Sequence, residues 1–281
     1  MGIRKVGIVV NPKKDDAIKV LRTLTRWLEA RKIEVINDLS IPRDRIPSIV
    51  DLIIVLGGDG TLLNVARFVR KRAVPILGVN LGGLGFLTEV TIAELYGSLK
   101  EILKGNYKIS ERAMLKTTVT KRGRVMGEYF ALNDIVVAKG ALSRIVTLKL
   151  LIDGEFITSY MCDGLIVSTS TGSTAHSLSA GGPIVYPALE SVVITPICPH
   201  TLSNRPLIID NKSRIGISIA KGNESQEVAL TVDGQVGLKL GSDDTVDVVK
   251  SPYKVRLIGS TGRSYFQILR EKLGWGRGRC P

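Results

Sequence analysis

The first hundred residues alternate two periods. Short β-branched runs are each followed by stretches in which apolar positions recur every three or four residues, the pattern of stacked βα units. Val6-Gly7-Ile8-Val9-Val10 reads as a buried strand closed by the turn pair Asn11-Pro12. A helix is predicted next: Asp15 or Asp16 supplies its cap, Ala17, Val20, Leu21, Leu24 and Leu28 form one apolar stripe, and Lys19, Arg22, Arg26 and Glu29 face solvent. Ile33 to Ile36 is the following strand. Leu52-Ile53-Ile54-Val55-Leu56 is an uninterrupted apolar run, as a parallel strand covered on both faces requires. Leu62 to Val69 predicts a further helix and Ile76 to Val79 a further strand.

From about Lys108 to Gly259 the helical period almost vanishes. Thr117 to Thr120, Ile135 to Ala138, Ile145 to Ile152, Leu165 to Ser168 and Val228 to Val232 recur between Gly, Asn and Asp turns, and Asp153-Gly154 is a hairpin signal. Ser264 to Leu273 then predicts a closing helix. The expected architecture is an α/β N-terminal domain with a parallel sheet over residues 1–105 and an all-β, antiparallel domain over 106–260. A C-terminal helix and tail, 261–281, pack back on the first domain. The boundaries rest on the change of period alone, since no repeat or low-complexity linker marks them.

Composition narrows the classes of function. A chain of 281 residues supplies each domain with enough length to bury its own core without covalent or metal staples. Cys162, Cys198 and Cys280, with His176 and His200, show no metal-binding spacing, and a cytoplasmic location is expected. His200 and Cys198 are assigned to packing in their Pro-rich segment. The N-terminus lacks the apolar stretch of a secretory signal, and no run is long enough to span a bilayer. The formal charge of +13, from 39 Lys and Arg against 26 Asp and Glu, either draws in anionic ligands or serves solubility alone. Scattered basic residues and sparse aromatics argue against a stacking platform, so neither nucleic acid nor membrane is expected as a partner.

The chemistry concentrates after the buried strand. Gly57-Gly58-Asp59-Gly60-Thr61 lies between that strand and a helical pattern, where bare backbone N–H groups and a helix N-terminus suit phosphate oxygens. Asp59 is out of place beside phosphates unless it accepts a proton from an attacking hydroxyl or holds a metal; the alternative is a carboxylate that only caps the helix. The lysine of a P-loop is missing, and the dinucleotide glycine fingerprint fits poorly. A second cluster, Gly82-Gly83-Leu84-Gly85, follows the next strand, which puts both turns at the carboxyl edge of one sheet. Asn133-Asp134 and Asp163-Gly164 carry polar groups inside β-rich runs, and Thr171 to Ser179 is rich in hydroxyls and small residues.

The glycine motif resembles that of the superfamily containing NAD kinases, diacylglycerol-type lipid kinases and phosphofructokinases. Asn133-Asp134, Asp163-Gly164, Ser168 to His176, Ser177 to Pro183, Thr195 to Ser203 with Arg205-Pro206, and Lys272-Leu273-Gly274-Trp275 together resemble the NAD kinase family, from about Val6 to Trp275. The resemblance implies transfer of the terminal phosphate of ATP, or of polyphosphate, to the 2′-hydroxyl on the adenosine side of NAD, giving NADP, with Mg²⁺ or another divalent metal. It implies that Asp59 is the general base, with Gly57, Gly58, Gly60 and Thr61 forming the phosphate loop. Asn133 and Asp134 would hold the adenosine and its ribose, and Asp163 the other end of the dinucleotide. Thr171, Thr174, Ala175, His176, Ser177, Leu178 and Ser179 would wrap adenine and ribose, with Arg144 and Gln235 also touching NAD. A homo-oligomer, dimer or tetramer, is implied as well.

Three positions depart from the family pattern. Asn-Glu is usual at Asn133-Asp134, so the carboxylate is one methylene shorter; tyrosine is usual at His176; and Met161 falls where some members carry a basic residue, so no role is carried over to it. Two other functions share these features: a lipid kinase with the same glycine loop, and a non-catalytic dinucleotide-binding sensor.

Overall fold

The computed structural model describes residues 2–13, 15–69, 72–201, 203–220, 227–259 and 262–275. Leu202 of the Thr195–Ser203 motif, Cys280 and the tail 276–281 lie outside the described residues. The elements begin β1 (Lys5–Val10), α1 (Asp15–Glu29), β2 (Glu34–Asn37), α2 (Ile46–Ile49), β3 (Leu52–Leu56), α3 (Asp59–Ala66), β4 (Ile76–Asn80), β5 (Val90–Thr91) and α4 (Ile92–Leu103). The β-rich part contains β6 (Ile109–Lys121), β7 (Arg124–Ala131), β8 (Asp134–Lys139), β9 (Val146–Ile152), β10 (Glu155–Cys162) and β11 (Gly164–Thr169). After a 3-10 turn, Gly172–Thr174, come α5 (His176–Ser179), β12 (Ser191–Ile197), β13 (Leu207–Asp210), β14 (Ile215–Ile219), β15 (Val228–Val232) and β16 (Val236–Leu240). β17 (Asp244–Ile258) and α6 (Tyr265–Leu273) close the chain.

The chain divides into two compact units, residues 1–111 with 255–281, and residues 112–254. These limits differ from the expected 105 and 260 because β6 and β17 are long strands that run through both boundaries. A change of hydrophobic period marks where the strands begin to dominate, not where the units part.

The first unit is a parallel sheet in the order β2, β1, β3, β4, joined on the far side of β4 by the end of β17 through Leu257 and Ile258. β3 is buried along its whole length, as its unbroken apolar run predicts. Helix α1 buries Ala17, Leu21, Leu24 and Leu28 in the same core as Val6, Ile8, Val10, Leu52, Ile54 and Leu56. Each of those leucines contributes roughly 1.5–3 kcal/mol by leaving water. α1 starts at Asp15, so neither Asp15 nor Asp16 precedes it as a cap; the Asp16 carboxylate stands in the first turn, where it favours the helix dipole. Of the expected helix from Leu62 to Val69, the structure ends α3 at Ala66 and begins it three residues earlier, at Asp59.

The final helix belongs to this unit. A capping box between Ser264 and Gln267 starts α6, and Gly274, in the left-handed region at φ 69°, ends it. Arg263 just before it pairs with Glu94 of α4 at 2.8 Å, and Lys272 in its last turn lies 5.9 Å from the centre of the Phe86 ring. No described helix is long and apolar enough to cross a membrane.

The second unit is antiparallel throughout. One sheet runs β13, β12, β11, β8, β15, β16, and another contains β10, β9, β14 and the first part of β17. Alternate residues of both sheets share one core: Ile135, Val137, Leu165 and Val167 from the first, and Val146, Leu148, Leu150, Ile215 and Ile217 from the second. This is a sandwich. Because side chains alternate along β8, Asp134 points to the face opposite Ile135 and Val137.

Candidate functional site

In the first unit the two glycine turns leave adjacent parallel strands. Leu56 pairs with Val79, and the Gly57 N–H bonds the Val79 carbonyl at 3.0 Å. A side chain at Gly57 would meet Thr61 of the next turn, whereas a Cβ added at Gly58 or Gly60 would meet nothing within 4 Å. Asp59 is the first residue of α3, and its carboxylate turns to the second loop. Oδ1 accepts from the Leu87 N–H at 3.1 Å, the Thr88 N–H at 3.0 Å and the Thr88 hydroxyl at 2.9 Å; Oδ2 accepts from the Phe86 N–H at 2.9 Å. Gly85 is required here, because a Cβ would strike the Asp59 carboxylate and the Thr88 hydroxyl. Gly78 in β4 likewise lets Leu87 and Thr88 lie against the strand. Arg43 braces the base of this loop pair, donating to Asp38, to Asn64 of α3 and to the Val10 carbonyl.

The second unit gathers a different set. Asp233, at φ 50° in the turn between β15 and β16, accepts from the backbone N–H groups of Leu132, Asn133 and Asp134 at 2.8–3.0 Å. From the other side the Thr169 hydroxyl donates to the Leu132 carbonyl, and the Thr169 N–H to the Asn133 carbonyl. Gly172 lies so close that a Cβ there would strike the Asn133 carbonyl. The Asn133–Asp134 segment is thereby clamped on both sides, with both residues buried. Asn133 Oδ1 finds no hydrogen-bond partner among the described residues, and such a buried acceptor calls for one. Burial, and next the neighbouring Asp233 carboxylate, push the Asp134 carboxyl up to about 7.

Around this segment stand the hydroxyl-rich loop residues. Thr171 is buried and its carbonyl accepts the Thr174 hydroxyl; Ala175 and Leu178 are half-buried; His176 and Ser179 are exposed. Ser177 is fully buried and shares a 2.9 Å hydrogen bond with Thr195, so its hydroxyl serves the fold. Gln235 is exposed two residues after Asp233 in the same turn.

Asp163 and Arg144 meet elsewhere in this unit, in a cleft of about 720 Å³ that Lys139, Met161 and His200 also line. Lys139 Nζ lies 3.7 Å from Asp163. His200 and Cys198, assigned above to packing, are both exposed, because their Pro-rich segment runs along the surface after β12. Arg205 donates to the Asn204 carbonyl. Burial pushes the Cys162 thiol up to about 12, which leaves it an inert core group. The first unit has a cavity of similar size lined by Tyr107, Lys108, Arg263 and Gln267, and none of the expected site residues faces it.

Sequence reasoning does not single out Thr88 or Lys139, it assigns His200 to packing, and the Thr231 to Gln235 run leaves Asp233 either a hairpin turn or a site residue. Thr88 and Asp233 act on partners 29 and 99 or more residues away, so no local spacing announces them.

Comparison with known proteins adds independent findings. A family model described as the ATP-NAD kinase N-terminal domain matches residues 37–107, and one described as the ATP-NAD kinase C-terminal domain matches residues 132–260. The NAD kinase of Syntrophotalea carbinolica is 48% identical, over 98% of this chain and 99% of that one. The NAD kinase of Geotalea daltonii is 44% identical over the same shares. Among solved structures, yeast NADH kinase complexed with NADH superposes with a TM-score of 0.93 at 28% identity, covering 100% of this chain and 90% of that one. An NAD kinase from Archaeoglobus fulgidus in complex with ATP gives 0.77 at 25% identity, covering 96% and 97%. With both family models matched in order and relatives similar from end to end, the chain belongs to the NAD kinase family.

Proposed function

We propose that this chain transfers the terminal phosphate of ATP to the 2′-hydroxyl of the adenosine ribose of NAD, giving NADP and ADP. The observation that carries this reading is the Asp59 carboxylate, set at the first residue of a helix inside a glycine turn at the carboxyl edge of a parallel sheet. The Asp59 carboxylate takes the proton as the 2′-oxygen attacks. The bond from that oxygen to the γ-phosphorus forms, the bond from the γ-phosphorus to the bridging oxygen breaks, and ADP leaves. Gly58 and Gly60, with open space where a side chain would stand, let phosphate oxygens approach the backbone. Asn133 and Asp134, with the Thr171–Ser179 loop, hold adenine and ribose; the cleft of Lys139, Arg144 and Asp163 takes the other end of the dinucleotide.

Among the described residues no group of three His, Cys, Asp or Glu side chains is placed to hold a metal. A Mg²⁺ would be held mainly by the donor's phosphates. When bound it neutralises phosphate charge. Polyphosphate as a second donor, a cytoplasmic location and a homo-oligomer belong to the same proposal.

Purified protein with NAD, ATP and Mg²⁺ is expected to form NADP. Asp59→Asn is expected to lose about 10²–10⁴-fold in kcat while binding NAD within a few-fold of the original. Absence of NADP with either ATP or polyphosphate, or an Asp59→Asn enzyme of unchanged rate, ends this reading.

A further inference from the structure

The proposed base is held by a chain of hydrogen bonds whose direction is fixed at every step. The Gly82 N–H donates to Asn80 Oδ1 at 2.8 Å, which settles the orientation of that amide. Asn80 Nδ2 must then face the Thr88 hydroxyl oxygen, and it donates to it at 2.8 Å. A hydroxyl carries one proton, so with its oxygen accepting from Asn80, Thr88 directs that proton to Asp59 Oδ1, 2.9 Å away. Thr88 is fully buried and Asn80 is 6% exposed, so water does not compete for these groups.

The carboxylate oxygens are consequently unequal. Oδ1 already accepts from the Leu87 and Thr88 N–H groups and the Thr88 hydroxyl, more donors than its two lone-pair directions serve singly. Oδ2 accepts only the Phe86 N–H among the described residues and retains a lone pair.

Resting on the proposed function, we infer that Thr88 and Asn80 are positioning residues of the phosphoryl transfer: they anchor Asp59 through Oδ1 and leave Oδ2 as the oxygen that takes the ribose proton. Charge-assisted hydrogen bonds to Oδ1 lock the carboxylate's rotation about its terminal bond. Without the Thr88 hydroxyl the carboxylate turns more freely, and fewer bound substrates meet a lone pair in line. The loss falls on kcat rather than on NAD affinity, because neither residue is assigned to the dinucleotide.

The test compares Thr88→Val, which keeps the shape and removes the hydroxyl, with Thr88→Ser, which keeps the hydroxyl. Thr88→Val is expected to lower kcat about tenfold with KM for NAD within about twofold, and Thr88→Ser to recover at least about half of the rate. Asn80→Ala is expected to lower kcat in the same direction and to add less than about twofold on top of Thr88→Val, since it acts through the hydroxyl. Equal rates for the valine and serine variants, a KM that rises as kcat falls, or fully multiplicative effects overturn the inference.

A readout that needs no turnover separates this result from failure of the proposed function. Hydrogen exchange at the Phe86 and Leu87 amides of the free protein is expected to be faster in Thr88→Val than in Thr88→Ser, because both amides donate to the carboxylate that Thr88 anchors. Indistinguishable exchange in the two variants refutes the anchoring role whether or not the wild-type chain makes NADP. The exchange pattern also reports whether each variant is folded.

Discussion

At the scale of single residues, two neighbouring carboxyl groups of the second unit stand in different surroundings. Asp233 receives three backbone N–H groups, while Asp134 is buried beside its carboxylate. Asp134 therefore holds its proton in the folded chain up to about pH 7, whereas in the unfolded chain it releases it near the ordinary value of 3.8. Between those two values the native state binds more protons than the unfolded state, so stability falls as pH rises across that window and is level above it. At about 1.4 kcal/mol per pH unit the full loss is at most roughly 4 kcal/mol. Asp134→Asn has no proton to lose. Urea unfolding of both proteins at pH 5, 6 and 8 is expected to show the wild type losing stability relative to the variant, by a few kcal/mol. Parallel profiles would show that the two carboxyls do not compete. The offset at any one pH is not diagnostic, since the asparagine amide brings a buried donor of its own.

At the scale of elements, what was legible depended on whether an element's reason was local. β3 and the buried face of α1 are read directly, because an unbroken apolar run and an apolar stripe each carry their own signal. β6 and β17 are legible only as fragments, the strand-like runs Thr117 to Thr120 and Val255 to Gly259. Lys, Ser and Pro interrupt their alternation, and Pro252 sits inside β17 where local propensity argues for a break. The sequence shows the turn Gly172–Thr174 only as part of a segment rich in hydroxyls and small residues, since its reason is a close approach to Asn133 from elsewhere in the chain. Two glycines test this difference between local and distant cause. Gly172→Ala drives a methyl group into the Asn133 backbone and is expected to cost about 1–3 kcal/mol in denaturation, with KM for NAD raised more than kcat is lowered. Gly60→Ala, within α3 and facing open space, is expected to leave stability unchanged or raise it by up to about 1 kcal/mol. Its activity is nonetheless expected to fall several-fold, because the space that is open in the free chain is where phosphates approach. A fully active Gly60→Ala enzyme would move the donor away from this loop.

At the scale of the whole molecule, each unit has its own core, and the groups proposed for the reaction are carried by both: the base by the first, the adenosine-binding residues by the second. The order of the motifs along the chain made the family legible. The bonds that tune the motifs, Thr88 to Asp59 and Asp233 to Asp134, did not show, because they join segments that only folding brings together. Charge is the property that belongs to no single element. A formal excess of +13 attracts ATP, which is polyanionic, more strongly than NAD, and it does so through a field that salt screens. Raising the salt from about 0.05 M to about 0.5 M is therefore expected to raise KM for ATP by about 3- to 10-fold, KM for NAD by less, and kcat hardly at all. An uncharged osmolyte at matched osmolality is expected to change none of the three. If KM for ATP is indifferent to salt, the lysine and arginine excess does not steer the donor, and its contribution is confined to keeping like-charged chains apart.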